Sequence, residues 1–166
     1  TLYSTEGSSQ CICAMLFLAL LEWRRTHRTA SIRPAVIAAR NVHKAFVRAA
    51  ALLDFDPIWL SPEDEVYSFT RCRVGCEQLE RVLCETGERA AAVFITSPDY
   101  LGTLADIRAL SESAHKHGVM FLVDDAHGAY LRFLPESLHP LDLGADMCCD
   151  SAHKTLPVLT GGAYLH

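Results

Sequence analysis

Apolar residues fall into two kinds of run along this chain. Short unbroken runs leave no room for a polar face: "AVIAA" (35–39), "PIWL" (57–60), "AAVFIT" (91–96), "VMFLVD" (119–124) and "DMCCDS" (146–151). Such runs read as strands buried on both sides. Between them, longer stretches space their apolar positions for a helix face. In "VGCEQLERVLCETG" (74–87), Val74, Leu79, Val82 and Leu83 recur at helical spacing, and Gly87 supplies a stop. Helices are likewise predicted from Ser8 to about Arg25, from His43 to Leu53, and over 103–118, where Gly118 ends the run. "GAYLH" (162–166) begins a further strand. Buried strands alternating with helices predict a doubly wound α/β fold, a mostly parallel sheet with helices on both faces. No repeat or linker interrupts the pattern, so residues 1–166 read as one domain.

Composition narrows the partners. Half of the 166 residues are hydrophobic and the net charge is −5, so neither the balance nor any basic stripe suits nucleic acid. The longest apolar stretch, "CICAMLFLALLEW", is too short to span a bilayer and reads as a buried helix. Seven cysteines with no export signal read as reduced thiols in a cytoplasmic protein, with Cys148 and Cys149 facing opposite sides of their strand. Cys72 and Cys76 lack a second pair at zinc spacing, and no metal is expected. The first residue is not Met and the chain closes inside a strand, so a fragment of a longer protein, cut at both ends, is expected.

In open parallel sheets, ligands bind at the carboxyl ends of the strands. Four polar segments fall there: "RNVHK", "TSPDYLG", "VDDAHGAY" and "SAHK". Together they suit a cofactor carrying a phosphate, a pyridine ring and an aldehyde. Gly7, Ser8 and Ser9 at the mouth of the first helix offer N–H groups and hydroxyls to a phosphate; taken alone they are an ordinary helix cap. Asp124 can pair with a protonated pyridine nitrogen, or else be a helix cap or structural ion pair. Lys154, after a buried strand, is expected to be partly desolvated and able to form a Schiff base; its bland alternative is a solvated loop lysine. Ser151 offers another phosphate contact. His43 can stack on a ring, or simply sit exposed at a helix start.

Quoted together, "VDDAHGAY", "SAHKTLPVLTGGAYLH", "RNVHKAF" and "TSPDYLG" resemble the fold-type-I pyridoxal-phosphate (PLP) enzymes of the ornithine/lysine/arginine decarboxylase family, over nearly the whole chain. The resemblance implies that Lys154 carries the cofactor, Asp124 pairs with the pyridinium, and Ala126 packs under the ring. His43 would stack over the ring, and Ser8, Ser9 and Ser151 would hold the phosphate. His127 and His153 would sit beside the reacting centre for proton transfer, with phosphate binding an equal alternative for His153. Asp125 is expected to point away from the ring. Ala152 stands where the family often has Thr, and "STEGSSQCIC" is less glycine-rich than many such phosphate loops. The implied reaction is decarboxylation of lysine, arginine or ornithine by a homodimer whose sites the partner subunit completes, and the fragment alone is expected to be inactive. Three rivals stand beside it: another PLP reaction on the same frame, a catalytically silent fragment, and a metal hydrolase built on Asp124, His127 and His153.

Overall fold

The computed structural model of the chain describes residues 1–27, 32–61 and 73–166. Cys72, half of the weak thiol pair, lies outside the described residues. In chain order the elements are β1 (Leu2–Ser4), α1 (Ser8–Thr26), β2 (Ala35–Ala39), α2 (Lys44–Leu53), β3 (Asp56–Leu60), α3 (Cys76–Thr86), β4 (Ala90–Thr96), α4 (Ile107–Lys116), β5 (Met120–Asp124), β6 (Met147–Ser151), α5 (Ala152–Thr155) and β7 (Ala163–Leu165). The strands form one sheet in the order β1-β7-β6-β5-β4-β2-β3. From β6 to β3 every pairing is parallel, while β7 runs antiparallel to both β6 and β1.

The unbroken apolar runs are buried because helices cover both sheet faces. All of β2 and all of β4 are buried. On one face Val36, Ala38, Phe94, Leu122 and Cys149 pack against α1 and α2. On the other, Ile37, Val93, Phe121, Val123 and Cys148 pack against α3 and α4. The two neighbouring thiols thus enter different halves of the core. Phe46 of α2 anchors the first half, with its ring 4.9 Å from that of Phe94 and 5.6 Å from that of Phe55, a spacing at which tilted aromatic pairs attract.

Three details differ from the sequence reading. Helix α4 begins at Ile107 rather than near residue 103, because Asp106 caps it by accepting the Ala109 N–H at 3.1 Å. The residues before it turn around Asp99, whose carboxylate accepts the Leu101 and Thr103 N–H groups at 2.9 and 2.8 Å. Strand β1 was not anticipated: it is three residues long, largely exposed, and carries no apolar run. The antiparallel course of β7 follows from the connection 152–162, shorter than the dozen or more residues that a parallel crossover needs. Among the described residues, no helix is long and apolar enough to cross a membrane.

Candidate active site

The parallel register carries distant residues to one edge of the sheet. Thr96 at the end of β4 lies beside Asp124 at the end of β5, and Asp124 lies beside Cys149 of β6. Asp124 is 2% exposed. One of its oxygens accepts the Ala126 N–H at 3.2 Å and faces the Cys149 thiol at 3.6 Å. Burial pushes the Asp124 carboxyl above its usual range, opposed by the Ala126 N–H and then by the His43 and Lys154 charges. A buried carboxyl in that state gains most from a cationic partner.

Lys154 extends from α5, immediately beyond β6, and its Nζ lies 3.2 Å from His127 Nε2. The side chain is exposed, so the expected partial desolvation is corrected. The cause is local: the buried strand stops at Ser151, and the short helix that follows turns its lysine outward. Burial, then the Lys154 charge, lowers the pKa of His127, which favours a neutral imidazole able to accept a proton from the amine. His43 is half-buried and caps α2, its Nδ1 accepting the Ala45 N–H at 3.2 Å. Burial lowers its pKa as well, against the Asp124 charge. His43 does stand at the helix start, but half-buried rather than exposed, and its ring is within electrostatic reach of Asp124 and Lys154.

A second feature forms where α1 begins. Its N-cap is Gly7, at φ 80°, a conformation that favours glycine; no side chain caps the helix and its first turn holds no acid. The Ser151 hydroxyl donates to the Ser8 hydroxyl at 2.7 Å, tying the end of β6 to this helix mouth. An uncapped N-terminus flanked by hydroxyls fits a phosphate. Ser9 is exposed beside it.

The other expected residues divide. Ala126 is buried directly after Asp124. His153 faces the Gly162 carbonyl at 3.4 Å. Among the described residues, Asp124, His127 and His153 do not form a ligand cluster, which removes the geometry of the metal-hydrolase rival. Two neighbours escaped the sequence reading. Tyr100 sets its ring edge-on to His127, with centroids 5.5 Å apart, and the Cys149 thiol faces Asp124. Tyr100 lies in the strand-end segment "TSPDYLG", so its position was a usable signal; the Cys149 contact follows only from the β5–β6 register.

Asp125 turns to the opposite side, fully buried, with one oxygen 4.0 Å from His139 Nε2. The backbone crowds it: a Cβ on Gly128 would lie 1.9 Å from Asp125 Oδ1, so only glycine fits there. Burial, then the Asp150 charge, pushes Asp125 from 3.8 up to about 10. The folded chain then keeps a proton that the unfolded chain has released, so this group's contribution to stability falls as pH rises from about 4 to about 10. In chelator-containing buffer, Asp125→Asn should flatten the decline of unfolding free energy over that window, as read by denaturant titrations at several pH values. An unchanged slope would show that Asp125 does not titrate there.

The parallel-sheet frame gathers a lysine, a buried carboxylate, two imidazoles and an uncapped helix N-terminus at its strand ends, groups whose chemistry suits a phosphorylated carbonyl compound. The chain belongs to the Orn/Lys/Arg decarboxylase, major domain family, whose model matches residues 26–166. It is 35% identical over 132 residues to the protein YaaO of Bacillus subtilis, covering 79% of this chain and 27% of that one. It is 29% identical over 167 residues to the arginine decarboxylase of the same organism, covering 100% of this chain and 32% of the relative. The chain thus spans about a third or less of these relatives' lengths. Among solved structures, Oryza sativa TDC with PLP and tryptamine superposes with a TM-score of 0.83 at 20% identity, over 99% of this chain and 35% of that one. At that identity the likeness concerns the fold.

Proposed function

We propose that the chain is the cofactor-binding core of a PLP-dependent decarboxylase acting on a basic amino acid: lysine, arginine or ornithine. The observation that carries the reading is the Lys154–His127 contact beside buried Asp124, at the strand ends of a family whose members are decarboxylases. The residues fit PLP on physical grounds. Asp124 is a buried carboxyl suited to a protonated ring nitrogen, and the mouth of α1 presents Gly7, Ser8, Ser9 and Ser151 to a phosphate.

When bound, PLP supplies an electron sink for the pair released as the Cα–carboxylate bond breaks. The chain's own groups do the rest. Lys154 would hold the aldehyde end of the cofactor. His127 Nε2, 3.2 Å from Lys154 Nζ, accepts the proton that the lysine must shed and can return it. Asp124 would hold a proton on the ring nitrogen. Ala126 and neutral His43 would line the ring.

Recognition of the substrate's basic side chain is assigned to the partner subunit of a homodimer and to segments of the kind that make up the remaining two thirds of the relatives. On this reading, residues 1–166 alone bind PLP weakly and do not turn over, because catalysis requires the scissile bond to be held in one orientation. The test is reductive trapping. Borohydride treatment of the full-length protein with PLP should leave the pyridoxyl group on the peptide carrying Lys154, read by mass spectrometry. Label on another lysine, or on none, overturns the reading.

A further inference from the structure

On the opposite side of β5 from Asp124, four elements converge on a buried cluster that the proposed reaction does not use. His139 lies in the loop before β6, Asp150 near the end of β6, His166 just beyond β7, and Asp125 just beyond β5. His139, Asp125 and Asp150 are all nine-tenths or more buried. His139 Nε2 lies 3.4 Å from Asp150 Oδ2, and His166 Nε2 lies 3.3 Å from the same oxygen. The candidate ligand atoms of His139, Asp150 and His166 all lie within 4.8 Å of one another. We propose that His139, Asp150 and His166 form a structural site for a divalent ion of the zinc class, with Asp125 closing the fourth position.

The two separations to Asp150 fit the ion's geometry, and the 4.0 Å from His139 to Asp125 would have to shorten on binding. Zinc bonds to imidazole nitrogen and carboxylate oxygen are about 2.0–2.2 Å, so the edge of a tetrahedral site is about 3.3–3.5 Å. Both nitrogen–oxygen separations fall there. They are longer than a strong charge-assisted hydrogen bond, about 2.7–2.9 Å, and His166 Nε2 makes no hydrogen bond although it is buried. The other ring nitrogen of His166 is occupied, 3.1 Å from the Thr1 hydroxyl, which leaves Nε2 directed at Asp150. Second-atom hydrogen bonding of this kind orients metal-binding histidines.

Asp125 gives an independent sign. It is 0% exposed, neither of its carboxylate oxygens has a hydrogen-bond partner, and one of them lies 4.0 Å from His139 Nε2. In the free chain, burial and the Asp150 charge hold this carboxyl protonated; a bound dication would replace that proton and give the carboxylate a partner. The ion pairs formed by Asp125 and Asp150 run to histidines. Two carboxylates balance one dication, and a single ion would satisfy them both. An entry path exists: a cavity of about 360 Å³ is lined by His139, Asp150, His166 and Thr1, with Arg132 beside it neutralised by Asp142 at 2.5 Å. Imidazole with carboxylate suits zinc better than magnesium or calcium, which prefer oxygen alone. No metal was expected from the sequence because the four residues are scattered over 42 positions, from 125 to 166, with no ligand spacing. An ion here would fasten together the loop and strand ends behind Asp124 and Ser151.

The test uses the full-length, PLP-loaded protein, stripped with chelator and dialysed against zinc chloride. One zinc ion per chain, with a raised unfolding temperature, is expected. His139→Gln and His166→Gln should weaken zinc binding by more than about 100-fold, given that disturbing even a supporting partner costs 10–100-fold, while the PLP absorbance persists. Failure of the wild type to bind zinc overturns the proposal; it would leave Asp125 and Asp150 as an acid pair sharing a proton. Undiminished binding by the folded variants overturns it too, by placing the ion elsewhere. Should the variants not fold, cobalt substitution of the wild type decides. Intense tetrahedral bands without thiolate charge transfer support the site; weak octahedral bands reject it, and a thiolate band rejects Asp125 as the fourth ligand, because the Cys148 thiol lies 3.7 Å from His139 Nε2.

Discussion

Lys154→Ala in the full-length protein should reduce amine release by at least about 10³–10⁴-fold, the upper range of what loss of a positioned proton-transfer group alone costs. Lys154 follows β6 by three residues, so the sheet fixes its origin, and its Nζ reaches His127 Nε2 at 3.2 Å. Two roles could explain a loss in the alanine variant: covalent attachment, or the positive charge beside Asp124 and His43. Lys154→Arg separates them. Arginine keeps the charge, but its guanidinium does not shed a proton in proteins and cannot serve as the amine nucleophile. The arginine variant should therefore be as inactive as the alanine variant and lose the reductively trapped label, while still binding PLP through the phosphate and ring contacts. Amine release from lysine, arginine and ornithine, with the cofactor absorbance recorded alongside, measures both outcomes. More than a tenth of wild-type turnover in Lys154→Arg would reduce the lysine to an electrostatic role.

The frame of this fold was legible because buried parallel strands leave a blunt mark. "AVIAA" and "AAVFIT" allow no polar face, and both are buried throughout. Helix ends were less legible, since caps decide them: Asp106 moved the start of α4 by competing for backbone N–H groups that the apolar period alone would place in a helix. The short exposed β1 left no pattern at all, because it is held by its pairing with β7. At the candidate site, Asp124, His127 and Lys154 could be nominated from their positions at strand ends. Their juxtaposition depends on the order of strands in the sheet. The exposure of Lys154 depends on how α5 leaves β6, which no periodicity records. The cluster of Asp125, His139, Asp150 and His166 was the least legible. It is assembled by the antiparallel return of β7, and that reversal places His166 against Asp150.

The two adjacent acids offer the sharpest contrast. Asp124→Asn should lower turnover by about 10²–10⁴-fold. Removing one partner from a buried charge pair costs about 3–5 kcal/mol, and each 1.36 kcal/mol is a factor of ten in rate. Asparagine fills the same space and can still accept the Ala126 N–H, so the fold around it should persist, and PLP should still bind through the mouth of α1 and Lys154. What is lost is the charge that keeps a ring nitrogen protonated. Asp125→Asn changes the same atoms one residue later, but strand alternation directs that side chain toward His139 on the other side of the sheet. Its effect should appear in stability and its pH dependence, with turnover per folded molecule reduced less than about tenfold, since the reacting groups are untouched. The comparison requires kcat normalised to cofactor-loaded protein, together with unfolding curves for both variants. Equal losses of turnover at both positions would mean that Asp124 has no privileged contact with the ring, and the assignment of the pyridine partner would fall with it.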